Sequence, residues 1–97
     1  MPKFAKRVDA NQAEIVRELR KRGVSVCVIS MLGQGAPDLI AGYKGKTYLL
    51  EVKDGNKPLS EQALTGPELV WHQAWNGHVA LCRNLTECLY AIGYINK

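Results

Sequence analysis

The chain has 97 residues, of which 46% are hydrophobic and 23% are charged, and its formal net charge is +4. A chain of this length buries only about 60–65% of its unfolded surface, so we expect a single domain over residues 1–97. The composition is too hydrophobic for a disordered protein, and it has no apolar run long enough to cross a bilayer.

The positive charge is concentrated at the start of the chain. The first 22 residues hold seven basic and three acidic side chains, whereas the remainder holds six of each sign. A polyanion can dock on such a segment, although Lys and Arg on a helix also serve simply to solvate it. The opening "MPKFAKRVDANQ" lacks the apolar stretch of a signal peptide. We therefore expect a cytoplasmic protein.

One helix and three strands are predicted for the first half of the chain. Residues 9–22 carry apolar side chains at helical spacing and end in a basic turn before Gly23, which predicts a helix. Residues 24–32, "VSVCVISML", are rich in β-branched side chains, as is typical of a central strand covered on both faces. Two further strands, at 37–43 and 47–53, are separated by a glycine-containing turn and predict a hairpin.

The second half predicts a loop, a helix, a strand and a final helix. Residues 54–66 are polar and rich in turn formers, which indicates a loop. Pro67 suits the first position of a helix over 67–75. A strand at 78–82 precedes a helix over 84–96, which begins with an Asn cap signal. The order αβββαβα predicts an α/β fold in which helices flank a mixed sheet.

The chain has three cysteines. Cys27, Cys82 and Cys88 lie among apolar residues, and we expect them to be buried thiols. A zinc site that combines Cys82 and Cys88 with His72 and His78 is an alternative, but the spacing of the four residues fits none of the usual structural zinc patterns.

Charged residues interrupt the predicted hairpin. Glu51 and Lys53 are two residues apart on a strand and therefore share a face, and Asp38 reaches that face if the hairpin register permits. A buried carboxylate is costly unless it is paired or ligated. Mg²⁺ takes one or two carboxylates together with waters and phosphate oxygens, so the three residues predict a magnesium site. The alternative is a strand-entry turn at Asp38 and an exposed ion pair between Glu51 and Lys53.

These residues resemble the signature of the PD-(D/E)xK nucleases, with "PD" at 37–38 and "EVK" at 51–53. More closely, "GAPDLI", "LLEVK", a basic first helix and the tail "LTGPELVWHQAW" with "GHVALC" resemble the VRR-NUC (virus-type replication-repair nuclease) family. That family is similar to the archaeal-type Holliday-junction resolvases. The resemblance covers residues 9–93 and implies a restriction-endonuclease-like αβββαβα core. It also implies a nuclease of the bacterial cell interior, with a phage or prophage as a source of the gene.

The resemblance implies a role for each charged residue. Asp38 and Glu51 would ligate Mg²⁺, or Mn²⁺ as a substitute, together with the backbone carbonyl of Val52. Lys53 would position the attacking water and help to deprotonate it. Glu14, on the first helix, would be an outer ligand or an anchor for water.

The helix that follows the "EVK" strand departs from the family. The family commonly has Gln there, and this chain has Glu68 at the corresponding position. Gln62 and Gln73 are nearby amides, but Gln73 lies about 140° around the same helix from Glu68. Which of the three supports the site is left open. His72 is a candidate general base, although a packed imidazole is the more common role for such a residue.

We expect a metal-dependent, structure-selective DNA endonuclease. The resemblance points to the four-way junction, with flaps, forks or DNA in general as alternative substrates, and a symmetric homodimer would supply two active sites. The alternative class is a non-catalytic nucleic-acid-binding module, whose salt-sensitive binding would be indifferent to changes at the acidic residues. A nuclease that reads base sequence is disfavoured because the chain has no extra subdomain to probe the major groove. The expected DNA contacts are Lys3, Lys6, Arg7, Arg17, Arg20, Lys21, Lys44 and Lys46.

Overall fold

The fold is a four-stranded mixed sheet with flanking helices. A computed structural model of the chain describes residues 9–96. The order of elements confirms the predicted αβββαβα arrangement, with one added short helix in the segment predicted to be a loop. The elements are α1 (Gln12–Lys21), β1 (Ser25–Val28), a 3₁₀ turn (Ser30–Leu32), β2 (Leu39–Tyr43), β3 (Lys46–Val52), α2 (Leu59–Gln62), α3 (Gly66–Ala74), β4 (Val79–Cys82) and α4 (Leu85–Ala91).

The strands lie in the order β1-β2-β3-β4. The first three form an antiparallel meander, and β4 joins β3 in parallel after the crossover through α2 and α3. The prediction that β1 is a central strand was therefore wrong, because β4 pairs with β3 and leaves β1 at the edge. Ser25, Cys27 and Val28 are exposed there. The expectation of a buried thiol at Cys27 fails for the same reason.

The hairpin between β2 and β3 turns through only two residues, Lys44 and Gly45. Their φ angles are 51° and 79°, the pair of positive values that a type I′ turn requires. This turn matches the twist of the two strands and sets a register in which Leu39 lies opposite Leu50. β2 begins only at Leu39 because Pro37 has no N–H to donate to the sheet.

The hydrophobic core lies between one face of the sheet and the helices α1 and α4. Strand side chains alternate between faces, so the residues beside these core positions point to the opposite face, where α3 begins. Among residues 9–96 no helix is long and apolar enough to span a bilayer. The main core residues are Ile15, Val16, Leu19, Leu39, Ala41, Leu50, Val52, Cys82, Cys88, Leu89 and Ile92.

Candidate active site

Asp38 and Glu51 lie near each other at the end of the β2–β3 hairpin away from its turn. The pairing of the two strands ends with Leu39 opposite Leu50, and the N–H of Asp38 also bonds the carbonyl of Leu50. The Asp38 side chain bonds the backbone of Val52, the residue after Glu51. Asp38 and Glu51 are only 2% and 1% exposed, respectively. The hairpin therefore brings two buried carboxylates to one place.

Three hydrogen bonds fix Asp38 at the end of β2. Its backbone N–H donates to the carbonyl of Leu50 at 3.0 Å, and its carbonyl accepts from the N–H of Ile29 at 2.7 Å. The side-chain Oδ2 accepts from the N–H of Val52 at 2.8 Å. The Asp38 carboxylate thus accepts the bond that a backbone carbonyl would otherwise accept from Val52. This bond holds the side chain against β3, the strand that carries Glu51.

Lys53 shares the face of Glu51 and continues the sheet beyond β3. Its backbone N–H donates to the carbonyl of Cys82 at 2.9 Å. Its Nζ donates to Oε1 of Glu68 at 2.8 Å, and the two side chains are only 10% and 7% exposed. The exposed ion pair considered between Glu51 and Lys53 is therefore not what forms, because all three residues of the cluster are buried and the ammonium contacts α3.

The structure decides among the three residues that the sequence left open as support for the site. Glu68 contacts Lys53, whereas Gln73 is exposed on another side of α3. Gln62 is buried but makes different contacts, since its Nε2 donates to the carbonyls of Gly55 and Lys57, at 3.2 and 2.6 Å. Gln62 therefore holds the 54–58 loop closed rather than contacting the site.

Two residues that sequence reasoning missed hold the start of α1 against the site. Nδ2 of Asn11 donates to the carbonyl of Lys53 at 3.1 Å. The buried Gln12 donates through Nε2 to Oγ of Ser30 at 2.9 Å. The sequence contains one sign of a buried amide in α1, because Gln12 lies on the same helical stripe as the apolar Ile15 and Val16.

Glu14 lies apart from this cluster. It is exposed and lines a cavity of about 270 Å³ together with Glu18, Asp54 and Arg83. Two residues along an α-helix correspond to a rotation of about 200°, so Glu14 is turned away from the buried Gln12. The structure does not bring Glu14 to Asp38, Glu51 and Lys53.

The predicted DNA-contacting residues fall into three groups. Arg17, Arg20 and Lys21 are exposed and line a groove of about 670 Å³ between α1 and the edge strand β1. Lys44 and Lys46 are exposed at the hairpin turn, and Glu51 lies five positions beyond Lys46 along the strand, about 17 Å at about 3.4 Å per residue. The remaining three, Lys3, Lys6 and Arg7, lie outside the described residues.

The ligands that the cluster offers to a metal are all oxygens. Asp38, Glu51 and the main-chain carbonyl of Val52 could hold a divalent cation, and such a donor set suits Mg²⁺ or Mn²⁺. Residues 9–96 contain no group of three or more His, Cys, Asp and Glu side chains placed to hold a metal. A site made of two carboxylates and a carbonyl does not need a third such side chain.

The alternative zinc site receives no support from the described residues. Cys82 and Cys88 are buried together, and a hydrogen bond with Cys88 and burial raise the pKa of the Cys82 thiol. A zinc ligand must be a thiolate, so this environment opposes metal binding. His78 instead packs against the ring of Tyr48 at 5.5 Å.

Taken together, the end of the hairpin offers two buried carboxylates and an ammonium held by a third carboxylate, and a separate basic groove runs between α1 and the β1 edge. Comparisons of the chain with protein-family models, with curated proteins and with solved structures find no match.

Proposed function

We propose that the protein is a metal-dependent, structure-selective DNA endonuclease of the PD-(D/E)xK type, resembling the VRR-NUC nucleases. The observation that carries the proposal is the joint burial of Asp38, Glu51 and Lys53 at the end of the β2–β3 hairpin, where the Asp38 side chain bonds the backbone of Val52, between Glu51 and Lys53. Charged residues are rarely placed in such a position for stability alone, because burying them is costly. Buried ionisable groups in a cluster are typical of functional sites.

The residues of this cluster have separate roles in phosphodiester hydrolysis. Asp38 and Glu51, with the carbonyl of Val52, would hold the cation, which would stabilise the charge that develops on the scissile phosphate. Lys53 places its ammonium on the face of Glu51 and orients the attacking water and the phosphate. Water attacks phosphorus and loses a proton, while the P–O ester bond breaks and the leaving oxygen gains a proton, so no covalent enzyme intermediate forms.

The basic groove supports contact with the DNA backbone. Among the described residues that line it are three cations and no carboxylate, and its floor includes Val16 and Val28. Gln12 also lines the groove and bonds Ser30, which precedes the loop leading to Asp38. One end of the groove, at Gln12, therefore lies close to the loop that leads to Asp38. Contacts between the groove cations and phosphates bind DNA without reading its sequence.

The proposed substrate is a branched DNA, with the four-way junction first and flaps and forks as alternatives. Residues 9–96 offer one cluster of this kind per copy, so paired cuts in two strands require a symmetric homodimer. We place the activity in the cytoplasm of a bacterial cell, where a phage or prophage genome is one source of the gene.

The test is cleavage of a labelled four-way junction by the purified protein with Mg²⁺ or Mn²⁺. We expect paired nicks from the wild type and none from Asp38→Asn, Glu51→Gln or Lys53→Ala, each of which should still bind DNA. Glu61→Gln, which neutralises an exposed carboxylate, is the matched control and should cut normally. Failure to cut junctions, flaps, forks and linear DNA, or undiminished cutting by the three variants, would refute the proposal.

A nucleic-acid-binding module without catalysis is the second candidate, favoured by the same basic groove. It predicts that the protein binds branched DNA in a salt-sensitive way but never cuts it. It also predicts that Asp38→Asn and Glu51→Gln leave both binding and metal response unchanged. The cleavage assay therefore separates the two candidates.

A further inference from the structure

One carboxylate oxygen of Glu68 makes two different bonds. Oε1 accepts from Nζ of Lys53 at 2.8 Å and from the backbone N–H of Thr65 at 2.9 Å. The Thr65 hydroxyl in turn accepts from the N–H of Glu68 at 3.4 Å, which completes a capping box at the start of α3. The same side chain therefore caps a helix and binds the candidate catalytic lysine.

The burial of this ion pair fixes its geometry. Both side chains are about nine-tenths inaccessible, so neither can move its charge into water without breaking the pair. A buried ion pair can be retained for structure alone, and removing one partner leaves the other charge buried and uncompensated. The helix cap adds a constraint, because it holds the Glu68 carboxylate from the other side. Nζ of Lys53 is thereby tied to the first turn of α3.

The first turn of α3 is itself packed against the loop that leads to Asp38. Gly35 has a φ of +85°, and a Cβ at that position would lie 2.7 Å from the carbonyl carbon of Pro67 and 3.1 Å from the N–H nitrogen of Glu68. Only glycine permits this approach. The segment that delivers Asp38 and the turn that holds Lys53 are thus in direct backbone contact.

We propose that Glu68 is the positioning residue for Lys53, and that it acts by anchoring the lysine ammonium to the cap of α3. The proposal rests on the endonuclease function proposed above and adds a role for a residue that lies outside the set of metal ligands. A lysine whose Nζ donates to a buried carboxylate is a hydrogen-bond donor with a fixed position. Glu68 therefore sets where the positive charge meets the phosphate and the water.

The structural alternative is that Glu68 matters only as a helix cap. Thr65→Ala separates the two roles, because it removes one half of the capping box and leaves the contact between Glu68 and Lys53. Glu68→Ala removes both the hydrogen bond from the Thr65 N–H to the Glu68 side chain and the ion pair with Lys53. Glu68→Gln keeps an oxygen that can accept from Lys53 and from the Thr65 N–H, and it is the conservative variant.

The kinetic test compares these three variants on the junction substrate at saturating metal. We expect Glu68→Ala to lower kcat about 100-fold with little change in KM, because a misplaced catalytic group costs rate rather than binding. Glu68→Gln should recover most of that loss, and Thr65→Ala should cut at the wild-type rate despite a lower melting temperature. The proposal is overturned if Thr65→Ala loses as much as Glu68→Ala, or if Glu68→Ala cuts normally.

A spectroscopic test does not depend on cleavage. In ¹⁵N NMR spectra of the lysine ammonium groups, we expect one slowly exchanging signal, assigned by its absence in Lys53→Ala. It should persist in Thr65→Ala and Glu68→Gln and disappear in Glu68→Ala. If the wild type cuts no DNA yet shows this pattern, the endonuclease function fails and the anchoring of Lys53 stands. If the wild type shows no such signal, the anchoring itself is refuted.

Discussion

Two carboxylates at the end of the β2–β3 hairpin define the site at the scale of single residues. Asp38 is held by the backbone of Val52, and Glu51 follows from the strand alternation, so neither depends on a flexible loop. Their nearly complete burial sets them apart from the exposed acidic residues of the chain. Rigid placement of ligands favours a defined metal geometry.

Metal binding is the first prediction at this scale. Mg²⁺ that binds only the folded protein should stabilise it by about 2.7 kcal/mol at a concentration of about one hundred times Kd. We expect added Mg²⁺ to raise the melting temperature of the wild type and of Glu61→Gln. Asp38→Asn and Glu51→Gln should lose that response, since each removes a ligand oxygen with negative charge. An equal rise in all four proteins would mean that the cation binds elsewhere.

Thiol reactivity is the second prediction for single residues. Cys27 is exposed on the edge strand, whereas Cys82 and Cys88 are buried. The hydrogen bond with Cys88 and burial raise the pKa of Cys82, so its reactive thiolate is suppressed at neutral pH. We expect iodoacetamide to modify one cysteine in the native protein, Cys27, and all three after unfolding. Mass spectrometry of the labelled peptides measures this, and rapid native labelling of Cys82 would contradict the structure.

At the scale of elements, the site depends on how the loop before β2 meets the start of α3. The loop carries Gly35 at a positive φ and lies against Pro67, directly beside the cap that contains Glu68. A side chain at position 35 would hold the two segments apart. The close approach of their backbones therefore depends on glycine at this position.

Gly35→Ala tests the contact between the loop before β2 and the start of α3, with Gly23→Ala as its control. Both glycines have nearly the same φ, +85° and +82°, but a Cβ at Gly23 meets nothing within 4 Å. Each alanine costs about 1 kcal/mol for its strained φ, and Gly35→Ala adds the overlap with Pro67. We expect Gly35→Ala to be the less stable protein in urea denaturation and to cut DNA more slowly. Equal losses for the two variants would show that the close approach has no role.

Two elements differ from their sequence-based predictions for reasons of context. β1 has the β-branched composition of a central strand, but composition does not record how many neighbours a strand will have. The segment 54–66 does contain turn residues, yet "LSEQ" within it forms the one-turn helix α2, with Gln62 hydrogen-bonded back to the loop. A single turn has too little periodicity to be recognised in a sequence.

At the scale of the whole molecule, the exposed basic side chains of residues 9–96 form two groups on the surface. Arg17, Arg20 and Lys21 line the groove at the β1 edge, and Gln12 joins that groove to the segment before Asp38. Lys44 and Lys46 stand at the opposite end of the hairpin. DNA that follows the groove would run along the β1 edge from Gln12 toward Val26, where Arg20 bonds the Val26 carbonyl.

The salt dependence of DNA binding tests this path. Removing one contact between a cation and a phosphate should reduce the slope of log K against log salt by about 0.9. We expect Arg17→Ala combined with Lys21→Ala to reduce the slope by nearly twice that amount and to weaken binding to every DNA sequence alike. Arg22→Ala is the control, because Arg22 pairs with Glu18 as Lys21 does but does not line the groove. An unchanged slope in the double variant would place the DNA elsewhere.

Local residue patterns were sufficient to predict most elements, the hairpin and the shared face of Glu51 and Lys53, because helical spacing, a short turn and strand alternation are local properties. The PD motif singled out Asp38, but its position beside the "EVK" strand depended on a hairpin register that the sequence left open. The three-dimensional structure was needed to show that β1 is an edge strand, that Glu14 points away from the cluster and that Glu68 rather than Gln62 or Gln73 holds Lys53. Those outcomes depend on which helix face and which loop meet across the sheet. They are set by contacts between residues distant in the chain, and no local pattern records such contacts.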